Sequence, residues 1–186
     1  MKKEINRIAL GSVSIYMVAF TGSAVADIPE DDTLETDANL IGRTKDGGTI
    51  TYSSTYYTAK SDDGKAQRTD LTDESATISF GLITWNGDAI AKLVETASAT
   101  TAQGKRRTLI GGIENKNDTT YLIRAVHKDK VKGDVRYTMI GKNVQGFAAA
   151  YKPGQESVIT PSIQAEPFSD GRLLVIDEAD AETASV

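Results

Sequence analysis

The sequence predicts an antiparallel all-β sandwich with one short helix, and three observations carry that prediction. Short segments in which apolar and polar residues alternate recur along the chain, the period of a strand with one buried face. Clusters of Gly, Asp, Asn and Pro separate them at intervals too short for crossover helices. Beyond the first 26 residues, a single stretch has the apolar spacing of a helix. About nine short strands at this spacing suit a sandwich or a barrel.

The chain opens with the basic MKKEINR, continues through the mainly apolar IALGSVSIYMVAFTG and reaches SAVA before Asp27. A basic start, an apolar stretch and small residues at Ala24 and Ala26 are the parts of a secretory signal, so cleavage is expected after Ala26. The stretch is short for a bilayer span and is interrupted by Gly11, Ser12 and Ser14. This reading divides the chain into a signal (1–26), an N-terminal arm (27–48), a β-sandwich domain (49–177) and an acidic tail (178–186), with export through the inner membrane.

The arm begins with the acidic, Pro-containing DIPEDD and continues with TLETDANLIG, Thr33 to Gly42. As a strand it would place Leu34, Thr36, Ala38 and Leu40 on one face, and Gly42 would allow close backbone approach. Lys45 to Gly48 reads as a turn. The following strand would bury Ile50, Tyr52 and Tyr56 on one side. Asp62-Asp63-Gly64-Lys65 supplies hairpin-turn chemistry. Ala76 to Trp85 is bulky on both faces and is expected to be central. Asn86-Gly87 punctuates again, and Asp88 is expected to cap a helix reaching Ala97, with Ile90, Leu93, Val94 and Ala97 on one face. A polar and then basic loop through Gly104-Lys105-Arg106-Arg107 follows. The remaining strands are expected at residues 108–113, 119–127, 131–140, 144–151, 157–163 and 172–177.

Composition narrows the function. The 186 residues carry a net charge of −5, and loss of Lys2, Lys3 and Arg7 with Glu4 would make it more negative. An acidic chain suits nucleic-acid binding poorly, because a positive surface is needed to displace counterions from phosphates. Cysteine is absent, which removes disulfides, thiol catalysis and thiolate metal sites. His127 is the sole histidine, is followed by Lys128, Asp129 and Lys130, and reads as a surface residue ending a strand. No Gly-x-Ser-x-Gly elbow accompanies it. The acidic clusters Glu30-Asp31-Asp32, Asp62-Asp63 and Asp177-Glu178-Ala179-Asp180 lack calcium-loop spacing. Gly104 to Arg107 and Gly111-Gly112 lack the spacing of phosphate-binding loops. No enzyme, cofactor or metal centre is expected. Tyr52, Tyr56 and Tyr57 suit an exposed strand or a sugar-binding face.

The export signal, the cysteine-free all-β body and the alternating LETDANLIG together resemble the chaperone-usher fimbrial family, and LIGRTKDG is similar to a short piece of certain enterotoxigenic fimbrial subunits. The resemblance implies an incomplete immunoglobulin-like sandwich, completed first by a periplasmic chaperone and later by a neighbouring subunit's arm at an outer-membrane usher. Other pilus subunits would be partners, and a host glycan or protein receptor a further one. Leu34, Thr36, Ala38 and Leu40 would then fill the neighbour's groove, making the protein a structural or adhesive subunit of a surface fimbria. An acidic tail stands where family members commonly have a C-terminal aromatic strand. The alternative is a periplasmic or secreted small β-barrel that binds a ligand.

Overall fold

A computed structural model describes residues 11–130 and 133–178. The basic start of the chain, Val131 and Lys132, and the tail beyond Glu178 lie outside the described residues. The fold is all-β and antiparallel, as expected. The described residues form ten strands, β1 (Ser14–Ala19), β2 (Leu40–Gly42), β3 (Thr44–Lys60), β4 (Gln67–Leu82), β5 (Ala97–Ala102), β6 (Lys105–Ile110), β7 (Tyr121–His127), β8 (Val135–Asn143), β9 (Ser162–Glu166) and β10 (Val175–Glu178). Two short helices join them, α1 (Asp31–Leu34) and α2 (Gly87–Leu93).

One sheet runs β2-β1-β7-β8-β9-β4-β3, with β10 also pairing with β8, and β5-β6 form a separate hairpin. The large sheet curls over: the Thr44 hydroxyl, at the far end of the strand order, donates to the carbonyl of Val13 just before β1 (2.7 Å). Between its two halves Ile15, Met17, Ile123 and Met139 pack with Ile78, Leu82, Ile159 and Ile163 in one core cluster. The opposite faces of β1, β7 and β8 bury Tyr16, Leu122, Val126 and Ile140 in a second cluster. β1 and β7 are thus buried on both sides, and their sequences are largely apolar for that reason, whereas β8 is buried on both faces only at its centre, Thr138 to Gly141.

The structure includes residues on both sides of the expected cleavage point after Ala26. β1 lies within the stretch read as the apolar part of a signal, and it pairs with β7 from Ser14↔Val126 to Ala19↔Tyr121. Ile15, Tyr16, Met17 and Phe20 are all buried. An interior strand and a signal's apolar stretch share one composition, because each must be short, apolar and free of charge.

The arm expected to be one extended strand is instead mostly turns. Asp31–Leu34 is one helical turn, with Leu34 N donating to Glu30 O (3.1 Å) and Glu35 N to Asp31 O (2.8 Å). Thr36 to Leu40 is a second turn, in which Asn39 N and Leu40 N both donate to Thr36 O. Only Leu40–Gly42 is extended. Leu34, Thr36, Ala38 and Leu40 therefore share no strand face: Leu34 is 1% exposed in the second core cluster, whereas Ala38 is exposed. An ion network holds the turn in place. Arg124, only 3% exposed, donates to Thr138 Oγ1 (3.0 Å), pairs with Asp31 and lies 3.6 Å from Glu35. Arg136 donates to Glu35 Oε1 (2.5 Å) and also meets Asp31 (3.1 Å) and Asp134 (3.3 Å). Its hydrogen bond to Glu35 raises the guanidinium pKa above its ordinary value. Gly42 does permit close approach, within its own chain: a Cβ there would stand 2.1 Å from the Thr84 carbonyl oxygen.

Elsewhere the boundaries shift. Asn86 rather than Asp88 caps α2, its side-chain oxygen accepting from Asp88 N (3.0 Å) and Ala89 N (2.9 Å). Asp88 instead pairs with Arg106 (3.0 Å), and the helix ends at Leu93, leaving Ala97 to begin β5. Residues 144–151 are not a strand, and Val144 and Tyr151 are exposed. The expected strand at 157–163 moves to β9, although Ile159 still enters the core opposite Leu82. His127 does end β7, but it is 6% exposed rather than a surface residue, with Nδ1 3.3 Å from the Ser12 carbonyl oxygen.

Candidate assembly surface

β3 and β4 are long, and only their inner halves belong to the body. From Ser75 to Leu82 the burial of β4 alternates, with Ala76, Ile78, Phe80 and Leu82 inside. From Thr51 to Glu74, by contrast, every residue is exposed. The two strands stay paired through this region, from Tyr52↔Ala76 to Lys60↔Gln67, with a bulge at Thr55/Tyr56. At about 3.4 Å per residue the ribbon extends about 27 Å from the body. Its tip is the turn read from Asp62 to Lys65. There Gly64 has φ 68°, and Asp63 accepts from the Ser61 hydroxyl (2.5 Å) and from Lys65 N (3.0 Å). The Ser61 bond, followed by that from Lys65 N, holds the Asp63 carboxyl below the usual Asp range.

The two faces of the ribbon differ. Along β3, Ile50, Tyr52, Ser54, Tyr56 and Thr58 continue the face that is buried nearer the body. Across the bulge Tyr56 stands opposite Leu71. Tyr52, Tyr56 and Leu71 are 54%, 61% and 46% exposed, so the face expected to be buried carries its apolar stripe into solvent. The other face carries Tyr57, Arg68, Asp70 and Asp73, in which Arg68 pairs with Asp70 (2.8 Å). A sequence signal for this projection exists: between Thr51 and Glu74 the only large aliphatic residue is Leu71. A ribbon whose inner face offers Leu71 as its single large aliphatic residue has little with which to enter a core.

At the root of the ribbon an open groove of about 530 Å³ separates it from the segment leading into β10. Tyr52 and Glu74 form one wall, and Asp170 to Leu174 with Ile176 form the other. The Tyr52 hydroxyl donates to the Glu74 carboxylate, which raises the phenol pKa. Asp170 is held below the usual Asp range first by the backbone N–H of Arg172, whose side chain also pairs with it. Ile176 is 53% exposed.

The basic stretch read as a loop is a second hairpin, β5-β6, paired from Ala97↔Ile110 to Ala102↔Lys105. Its inner face rests on α2, where Arg106 meets Asp88. Lys105, Arg107 and Leu109 alternate on the outer face, all exposed. Among the described residues no group of three metal-ligating side chains is brought together.

No family model matches the chain, and no curated protein matches it. Among solved structures it is similar to a chain described as "Virion of native gene transfer agent (GTA) particle", with a TM-score of 0.44 at 10% identity, covering 89% of this chain and 95% of that one.

Proposed function

We propose that the protein is a non-enzymatic structural subunit that assembles with copies of itself, and that the β3-β4 ribbon is its assembly element. This keeps the structural-subunit part of the fimbrial resemblance and moves the contact from the N-terminal arm to the ribbon. The unbroken exposure of Thr51 to Glu74 carries the reading.

Ordering backbone costs about 1–2 kcal/mol per residue, and in a globular body that cost is offset chiefly by burial. No residue of the ribbon from Thr51 to Glu74 is buried. A lone two-stranded hairpin is marginal in water, and an exposed strand edge with unpaired N–H and C=O groups is a template for another chain. A neighbouring copy supplies both missing elements, a surface over Tyr52, Tyr56 and Leu71 and backbone partners for the edges. The ligand-binding barrel is less well supported, since the space between the curled halves of the sheet is filled by Ile78, Met139 and Ile163, each 0% exposed.

The test compares the full chain with a trimmed form in which residues 55–73 are replaced by Asn-Gly, a two-residue hairpin turn. Sedimentation velocity and negative-stain microscopy should show rings or fibres for the full chain and a monomer for the trimmed one, with little change in melting temperature. A full chain that stays monomeric at high concentration, or a trimmed chain that assembles equally well, would refute the proposal.

A further inference from the structure

We infer that the occupant of the root groove is the β5-β6 hairpin of a second copy, seated by its stripe of Lys105, Arg107 and Leu109. The inference rests on the self-assembly reading and adds which surfaces meet.

The two surfaces are complementary in charge and polarity. On the groove side stand Glu74 and Asp170, and Glu178 shares a strand face with the lining residue Ile176. Arg172, paired with Asp170, is the basic residue of the groove wall. Glu178 is in no ion pair among the described residues, and the Glu74 carboxylate is bonded to a neutral phenol. The β5-β6 hairpin has the opposite balance: from Ala97 to Ile110 it contains Lys105, Arg106 and Arg107 and no acid. Arg106 is satisfied by Asp88 of its own chain, whereas Lys105 and Arg107 are in no ion pair among the described residues.

Leu109, 60% exposed, follows the two cations at the spacing of alternate strand residues. Along one face Lys105 and Leu109 are about 13 Å apart. This length allows an apolar end to enter a groove lined by Tyr52, Leu174 and Ile176 while the cations reach the acidic rim. The groove and the stripe are different surfaces of one subunit, so the contact is head-to-tail. Such a contact closes into a ring when its rotation allows and otherwise extends as a filament. Exposed charges make it weaken as salt rises.

The test is a charge exchange. K105E/R107E reverses the stripe and E74K/E178K reverses the groove, all at exposed positions. Each variant alone should raise the concentration for half-assembly by about a hundredfold, since like charges then face each other. An equimolar mixture should assemble again, because each variant's reversed surface meets an opposite charge on the other. Melting curves confirm that each variant is folded. Recovery in the mixture supports the pairing. Variants that assemble like the full chain, or that fail to recover on mixing, overturn it. The ribbon-trimmed form separates the two ideas: if it alone loses assembly, self-assembly through the ribbon stands and this seat is wrong.

Discussion

Replacing Leu34 by Ala separates two roles for the N-terminal segment. Leu34 is 1% exposed and packs with Tyr16, Phe20, Leu122, Val126, Ile140 and Phe168. Losing a fully buried leucine side chain costs its transfer free energy and leaves a cavity, together about 2–5 kcal/mol. The aromatic neighbours are anchored on different elements, so incomplete collapse is expected, with a loss of about 3 kcal/mol. For a domain of this size the urea dependence is about 1.5–2 kcal/mol per molar, which places the midpoint shift at about 1.5–2 M. The measurement belongs in the ribbon-trimmed background, where association cannot stabilise the folded state by mass action. Thr36→Ala and Ala38→Ser are the controls: Ala38 is exposed and Thr36 lies in a turn, so both should shift the midpoint little. An unchanged midpoint for L34A in the trimmed form, combined with lost assembly in the full chain, would refute the reasoning and restore a donated arm.

Two further outcomes follow from the same structure. Deleting residues 2–26 removes Ile15, Tyr16, Met17 and Phe20 from the interior and strips β7 of a ladder partner. At about 1.5–3 kcal/mol per buried side chain the loss is on the order of 6–12 kcal/mol, comparable to a whole domain's stability. The truncated chain should show no cooperative melting transition by circular dichroism, and a truncated chain melting like the intact one would place β1 outside the fold. Glu35→Gln leaves Arg124 with Asp31 as its acidic partner while weakening the bond to Arg136, so a loss of about 1–3 kcal/mol is expected. It would be measured by chemical denaturation in the trimmed form, and a neutral result would show that the network does not hold the α1 turn.

Much of the fold was legible locally. The alternation of β4 from Ala76, the Asp62 to Lys65 turn and the helical spacing of Ile90 and Leu93 each reflect neighbours a few residues apart. Their chemistry is settled by backbone geometry and by which side of one element is apolar. β7 was also visible because its apolar content exceeds what one buried face needs, and β8 because Val135, Tyr137 and Met139 alternate with Arg136 and Thr138.

The segments whose structure differs from their local pattern are those whose fate depends on distant residues. TLETDANLIG alternates like a strand, yet the arginines that capture Asp31 and Glu35 arrive at positions 124 and 136. SIYMVA is apolar whether it belongs to a signal or an interior strand, and its pairing with Tyr121 to Val126 is what places it. Tyr52 and Tyr56 alternate whether the sheet continues beside them or stops. Here β9 pairs with β4 from Thr77 to Ser79, and among the described residues no third strand lies beside the outer ribbon.

By itself the sequence determined the all-β class, the main hairpin turn, the short helix and the absence of cysteine chemistry, because these follow from residue type and short-range periodicity. Which apolar faces are covered was decided only by tertiary structure, since burial depends on contacts between segments far apart in the chain. That decision put Leu34 in the interior and left Tyr52 and Tyr56 on an exposed ribbon.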